Sequence, residues 1–264
     1  MPLSPSAQLD PSVEQSAWLK IHLLGEVQVF AGEEPVHFHT QKACCIFCYL
    51  VAHSERAHSR TGLANMCWGS LGEKKARDNL NTAISSLRRS LNSCESDDTY
   101  LIANRQSIQF NTNNDYWLDV DAFEQLIQQA REHQDCQYYL QAMSLWHGDF
   151  MQEFNKDWCV PIRSRLRTLM LEACDALITY SQEQQHLEQA ISWSHQILQN
   201  VPEREQTHYK LMELYATIGD QKAALHQFEQ CVASLSEIGV QPHRQTRSLY
   251  HKIRQGELPF LPID

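Results

Sequence analysis

Apolar and polar residues alternate with a period of two through residues 18–24 (WLKIHLL) and 27–30 (VQVF), on either side of Gly25-Glu26, which predicts a β-hairpin. A turn at Gly32-Glu33-Glu34 leads into a short predicted strand over 36–38. The period then lengthens to that of a helix. Thr40 can cap a helix from Gln41 to about His53, and Ser59 a second from Arg60 to about Trp68. Ser70, with Glu73 at capping-box spacing, opens a third over 71–92. Residues 100–103 and 107–110 read as two more strands, joined at Asn104-Arg105-Gln106. A small sheet, three helices and a hairpin make the order of a winged helix, whose third helix enters a DNA groove and whose hairpin is the wing.

The third predicted helix has two unlike faces. At about 100° per residue, Ala76, Leu80, Ala83, Ile84, Leu87 and Leu91 share one arc, and Lys75, Asp78, Thr82, Ser85 and Arg89 gather opposite. The outer face carries the short polar side chains of Asn81, Thr82, Ser85 and Ser86 between Lys74, Lys75, Arg77, Arg88 and Arg89. Short donors and acceptors reach base edges, and flanking cations hold phosphates. The plain alternative is a solvated helix with incidental cations. At the wing, Arg105 and Gln106 would lie near a phosphate backbone or minor groove, or be ordinary turn residues.

Residues 111–114 (NTNN) read as a linker, after which Asp121 and Glu124 repeat the capping-box spacing. From there the pattern is helical, broken near Gly148-Asp149, at 200–202, at Gly219-Asp220 and at Gly239, with no segment of strand character between. The stretch Ala176-Leu177 to Tyr180, Leu187, Ala190-Ile191 and Pro202 resembles Met212 to Tyr215-Ala216, Gly219-Asp220, Ala223-Ala224-Leu225 and Phe228 at an offset of about 34–35 residues, the period of tetratricopeptide helix pairs. The expected fold is mainly α: an α+β winged helix followed by an all-helical, tetratricopeptide-like domain. The expected boundaries are a disordered leader over 1–16, a DNA-binding domain over 17–112 and a helical domain over 113–264. Such a helical array suits a protein partner or a second copy.

Charge separates the two halves. Residues 17–112 hold ten Lys/Arg against nine Asp/Glu, net +1, and residues 113–264 hold twelve against twenty-one, net −9. Only the first half could present a cationic face, so DNA contact is expected within residues 40–106. Nine cysteines without framework spacing fit reduced thiols in the cytoplasm, and neither a signal peptide nor a membrane-spanning run is apparent. Cys44, Cys45 and Cys48 are the one group that resembles a redox or metal site. They fall inside an apolar helix without a second ligand pair, which reads as packing, Cys44 bordering the core face and Cys45 pointing away beside Tyr49. No cofactor loop, H-E-x-x-H pair or nucleophile elbow occurs, so neither an enzyme nor a cofactor is expected.

Taken in order, WLKIHLLGEVQVFAGEEPV, QKACCIFCYLVAHSERAHSRTGLANMCW and KKARDNLNTAISSLRRSL resemble the DNA-binding domain of SARP-type regulators, the Streptomyces antibiotic regulatory proteins and their relatives. WLDVDAFEQLI, LWHGDF, LMELYATIGDQKAALHQFEQCVASL and IGVQPHRQTRSLYHKI resemble the bacterial transcriptional activator domain paired with it. The resemblance implies an OmpR-like winged helix, a tetratricopeptide-like effector domain, and activation rather than repression of transcription. Its implied partners are double-stranded DNA, RNA polymerase and a second copy on DNA. By position, Arg77, Asn79, Asn81, Thr82, Ser85, Arg88 and Arg89 match the recognition helix. Lys42 and Arg60 match the basic residues that open the first two helices, where they would touch phosphates. The chain departs from relatives in having no G-x-x-x-x-G-K-[ST] phosphate loop and no glycine in the wing turn. Two other classes are a helical-repeat scaffold that binds no DNA, and a regulator responsive to thiols or metal through Cys44, Cys45 and Cys48.

Overall fold

The computed structural model describes residues 18–91 and 100–257; the expected leader over 1–16 lies outside the described residues. The chain divides into two compact units, one reaching Ala122 and including Leu145–Ile162, the other made of Phe123–Ser144 and the residues from Arg163 onward. The fold is mainly helical, with a small α+β part first and helices after it.

In the first unit, β1 (Leu19–His22) pairs antiparallel with β2 (Gln28–Ala31), which in turn pairs with β3 (Glu34–Pro35). The third strand lies two residues before its expected place at 36–38. Gly32, at φ 61, reverses the chain tightly enough for Ala31 to face Glu34, and Pro35, lacking an N–H, suits the sheet edge. Three helices follow: α1 (Gln41–Ala52), α2 (Arg60–Trp68) and α3 (Glu73–Leu91). The first two begin where expected because Thr40 Oγ1 accepts from the Ala43 N–H at 3.1 Å and Ser59 Oγ from the Gly62 N–H at 3.0 Å. The third begins three residues after Ser70. Its first carbonyl is that of Gly72, which accepts from the Ala76 N–H, and the Glu73 carboxylate turns forward to Arg77 rather than back to Ser70.

A short strand β4 (His58–Ser59) joins β5 (Leu101–Ala103) and β6 (Ser107–Phe110) in a second sheet of order β4-β6-β5. Three helices and this hairpin give the winged-helix arrangement. One strand was not expected: β7 (Tyr116–Leu118) runs parallel to β1, completing the order β3-β2-β1-β7. Asp119, just after it, is 1% exposed, and its Oδ2 accepts from the N–H groups of Leu23 and Leu24, both at 2.8 Å. Helix α4 (Asp119–His133) therefore starts two residues before Asp121. Burial raises the Asp119 pKa to about 7, against the lowering effect of those backbone bonds.

Residues 145–162 return to this unit. Leu24 bridges Phe150, the Met151 N–H donates to the Leu23 carbonyl at 2.8 Å, and Trp158 packs edge-on against Tyr49 of α1 at 5.1 Å. This segment covers what would be the solvent side of α1. Cys45, expected to point outward, is 2% exposed as a result.

The second unit holds the rest of α4, α5 (Cys136–Leu145, to Ser144), most of α6 (Cys159–Glu183), then α7 (Leu187–Asn200), α8 (Glu205–Thr217), α9 (Gln221–Glu237) and α10 (Arg244–Gln255). The repeat read from the sequence falls on the pairs α6/α7 and α8/α9. Met212, Ala216, Ala224, Leu249 and Ile253 form a core, flanked by Tyr209, Tyr215, Phe228 and Tyr250. Beside it, buried His208 lies 2.8 Å from the Pro202 carbonyl through Nε2 and 2.6 Å from Gln227 through Nδ1; burial lowers its pKa. Helix breaks between α4 and α5 and between α6 and α7 were missed because Gln134 and Gln185, not glycines, take the left-handed conformation, at φ 52 and 63.

Candidate nucleic-acid interface

Helix α3 buries the six residues expected of it, Ala76, Leu80, Ala83, Ile84, Leu87 and Leu91, and thereby fixes which side chains face outward. Lys74, Lys75, Arg77, Asp78, Asn81, Thr82, Ser85, Arg88 and Arg89 are exposed. Asn79 and Ser86 are half-buried on the flank away from Arg77 and Arg88.

An open groove of about 930 Å³ runs between α3 and the β5–β6 turn. Arg77, Asn81, Ser85 and Arg88 line one wall, Asn104, Arg105 and Gln106 the other, and Arg60 with Thr61 the end of α2 between them. Four arginines and no carboxylate line it, so its field is positive within a chain whose net charge is −10.

Arg60 ties the walls together. Its Nη2 donates to Asn81 Oδ1 at 2.9 Å, its Nη1 to the Asn104 carbonyl at 3.0 Å, and its backbone N–H to the Gln106 carbonyl at 3.0 Å. The Asn81 oxygen keeps a second lone pair, so the side chain can still offer a ligand both an acceptor and donors, in an orientation that Arg60 fixes. The Thr82 hydroxyl donates to the Asp78 carbonyl at 3.1 Å, leaving an acceptor lone pair and a methyl group exposed. Arg77 is paired with Glu73 at 2.9 Å, a surface i,i+4 bridge that an anionic ligand could replace at little cost.

The hairpin turn holds its shape without glycine. Asn104 Oδ1 accepts from the N–H groups of Gln106 and Ser107, both at 2.8 Å, and the Asn104 N–H donates to the Ser107 carbonyl. This leaves the side chains of Arg105 and Gln106 exposed at the tip. Lys42 stands apart from the groove, its ammonium 5.1 Å from the centre of the Trp68 ring. Of the thirteen residues singled out in the sequence, the groove gathers Arg60, Arg77, Asn81, Ser85, Arg88, Arg105 and Gln106. Lys74, Lys75, Thr82 and Arg89 lie on the open face beside it, and Asn79 on the far flank. Thr61 and Asn104 were not anticipated; the Asn-x-x-Ser turn signal was legible for the second.

The second half of the chain settles the family. Residues 118–254, just over half of the sequence, match the bacterial transcriptional activator domain. The chain belongs to that family. Among curated proteins none matches in sequence. The solved structure of Mycobacterium tuberculosis EmbR in complex with a low affinity phosphopeptide has the same fold, with a TM-score of 0.68 and 20% identity over 94% of this chain and 67% of that one.

Within the bacterial transcriptional activator domain, charges on the helices and at a helix N-cap are paired. Arg131 meets Glu172 at 2.5 Å, Arg204 meets Asp175 at 2.7 Å, and Arg165 meets Glu124. Glu172 is held below the usual carboxylate range by Arg131.

The cysteines of α1 are drawn into the core. Cys44 and Cys48 have their sulfurs 4.0 Å apart, and burial pushes the Cys48 thiol up. Cys45 is lowered by a hydrogen bond from Cys67 of α2, against its burial, with smaller contributions from Lys156 and Trp158. Among the described residues no three His, Cys, Asp or Glu side chains converge as metal ligands, and no helix is long and apolar enough to cross a membrane.

Proposed function

We propose that this chain is a SARP-type transcription activator that binds duplex DNA through the groove between α3 and the β5–β6 turn. The carrying observation is the convergence of Arg60, Arg77, Arg88 and Arg105 on a groove without carboxylates, around the polar side chains of Asn81 and Ser85. In this reading α3 lies in the major groove. Asn81, Thr82 and Ser85 discriminate bases, and Lys74, Lys75, Arg88 and Arg89 hold phosphates. Arg105 and Gln106 meet the backbone or minor groove beside the recognised bases. Lys42 and Arg60 support the phosphate contacts, and Asn79 acts from the flank by positioning the helix.

Residues 17–112 carry this activity, and the helical domain over 113–264 serves a second copy on paired half-sites or RNA polymerase, in the cytoplasm. The membership of residues 118–254 in the activator-domain family supports the transcriptional assignment. Binding to random duplex DNA at low and moderate salt tests the reading. Affinity that falls steeply with salt is expected; absence of binding at both salts would favour a protein-binding scaffold.

A further inference from the structure

Helix α10 (Arg244–Gln255) carries a charge pattern opposite to that of the domain it closes. Its apolar side chains face inward: Leu249 and Ile253 are buried, and Tyr250 stacks on Phe228 at 4.3 Å. Arg244, Arg247, His251 and Arg254 occupy one exposed stripe at i, i+3, i+7 and i+10, with Lys252 beside it and no Asp or Glu anywhere in the helix. The stripe is about 15 Å long at 1.5 Å per residue.

Two observations set these cations apart from ordinary surface charge. Arg131, Arg165 and Arg204 of the same unit are each ion-paired; Arg244, Arg247, Lys252 and Arg254, like Lys210 and Lys222, have no ion-pair partner among the described residues, but those of α10 are gathered on one helix face. Glu205, the first residue of α8, reaches the start of α10, where its Oε1 accepts from the His243 N–H and the Thr246 hydroxyl. Second, Lys252 and Arg254 complement the negative end of the helix dipole, but Arg244 and Arg247 sit in its first turns, where a cation is unfavourable.

We infer that this stripe is a second phosphate-binding surface, one that engages the backbone of duplex DNA. DNA fits it better than an acidic protein does. A protein-docking surface would be expected to carry aromatic or aliphatic anchors, and the exposed positions of α10 hold only Arg, Lys, His, Ser and Gln. Backbone phosphates need nothing more. The inference rests on the DNA-binding reading above and extends contact beyond residues 40–106.

The full chain carrying Arg244→Gln, Arg247→Gln and Arg254→Gln tests it by salt titration on a long duplex of random sequence. The slope of log affinity against log salt is expected to fall by roughly one unit per lost phosphate contact, up to ~3, with the thermal midpoint unchanged or raised. The corresponding triple Lys variant should keep the wild-type slope. A folded Gln variant with the wild-type slope would overturn the inference while leaving the role of α3 intact. Failure of the wild-type chain to bind any duplex would overturn the DNA-binding reading itself.

Discussion

The Arg60 guanidinium donates to Asn81 Oδ1 at 2.9 Å while its other nitrogen holds the Asn104 carbonyl at 3.0 Å, so one side chain sets both the spacing of the groove and the orientation of the Asn81 amide. Asn pairs with adenine through its oxygen and nitrogen together, and here the oxygen would share its second lone pair with the base while Arg60 holds the first.

Arg60→Ala should therefore weaken DNA binding and also change base preference at one position, because the Asn81 amide loses the bond that orients it. Arg60→Lys cannot reproduce the two-pronged bond and should behave in the same direction. Competition between duplexes differing at single positions reads both effects; an Arg60→Ala variant with unchanged preference would show that Asn81 does not meet a base.

The buried Asp119 makes stability depend on pH. Its carboxyl is protonated up to about pH 7 in the folded chain and ionises near its ordinary 3.8 when unfolded. Between those values the folded state binds more protons, so stability falls as pH rises, by about 1.4 kcal/mol per unit at most. Asp119→Asn can keep acceptance from the Leu23 and Leu24 N–H groups and should flatten that dependence. Denaturant unfolding from pH 4 to 8 compares the two; parallel curves would refute the account.

Gly25 and Gly148 face each other where the returning segment meets the first sheet. Gly148 has φ +156, and a Cβ there would come 2.5 Å from Gln152 Oε1 and 3.2 Å from the Gly25 Cα. Gly148→Ala should cost about 1–3 kcal/mol of stability. A thermal midpoint equal to the wild type would mean that the approach is looser than described.

How much of this was legible in the sequence depended on range. Thr40 and Ser59 marked the first two helix starts because each caps its own helix, and the six buried residues of α3 followed from their period. Ser70 misled for a local reason, since Glu73 has Arg77 to bond to. Strand β7 has three residues, too few to show alternation, and its partner β1 lies at the other end of the unit. The groove could not be drawn in advance for a similar reason: its walls are joined by Arg60, whose partners Asn81 and Asn104 lie 21 and 44 residues away. Cys45 looked exposed on a helical wheel, since the segment that covers it comes more than a hundred residues later.

The thiols of α1 pack the core, and this too has a consequence. Cys48→Ser, placing a hydroxyl at a fully buried position, should destabilise the fold by about 1–3 kcal/mol, while a chelator or a reductant leaves DNA affinity unchanged. Affinity that responds reversibly to either reagent would favour a sensing role instead.

The central claim is that the exposed polar stripe of α3 discriminates among DNA sequences. An Asn81→Ala, Ser85→Ala double variant, ranked against wild type on a library of duplexes in competition, measures it directly. The account predicts a reordered ranking, at ~1–3 kcal/mol per lost base interaction, with the salt slope preserved. A folded double variant that keeps the full wild-type ranking would contradict it.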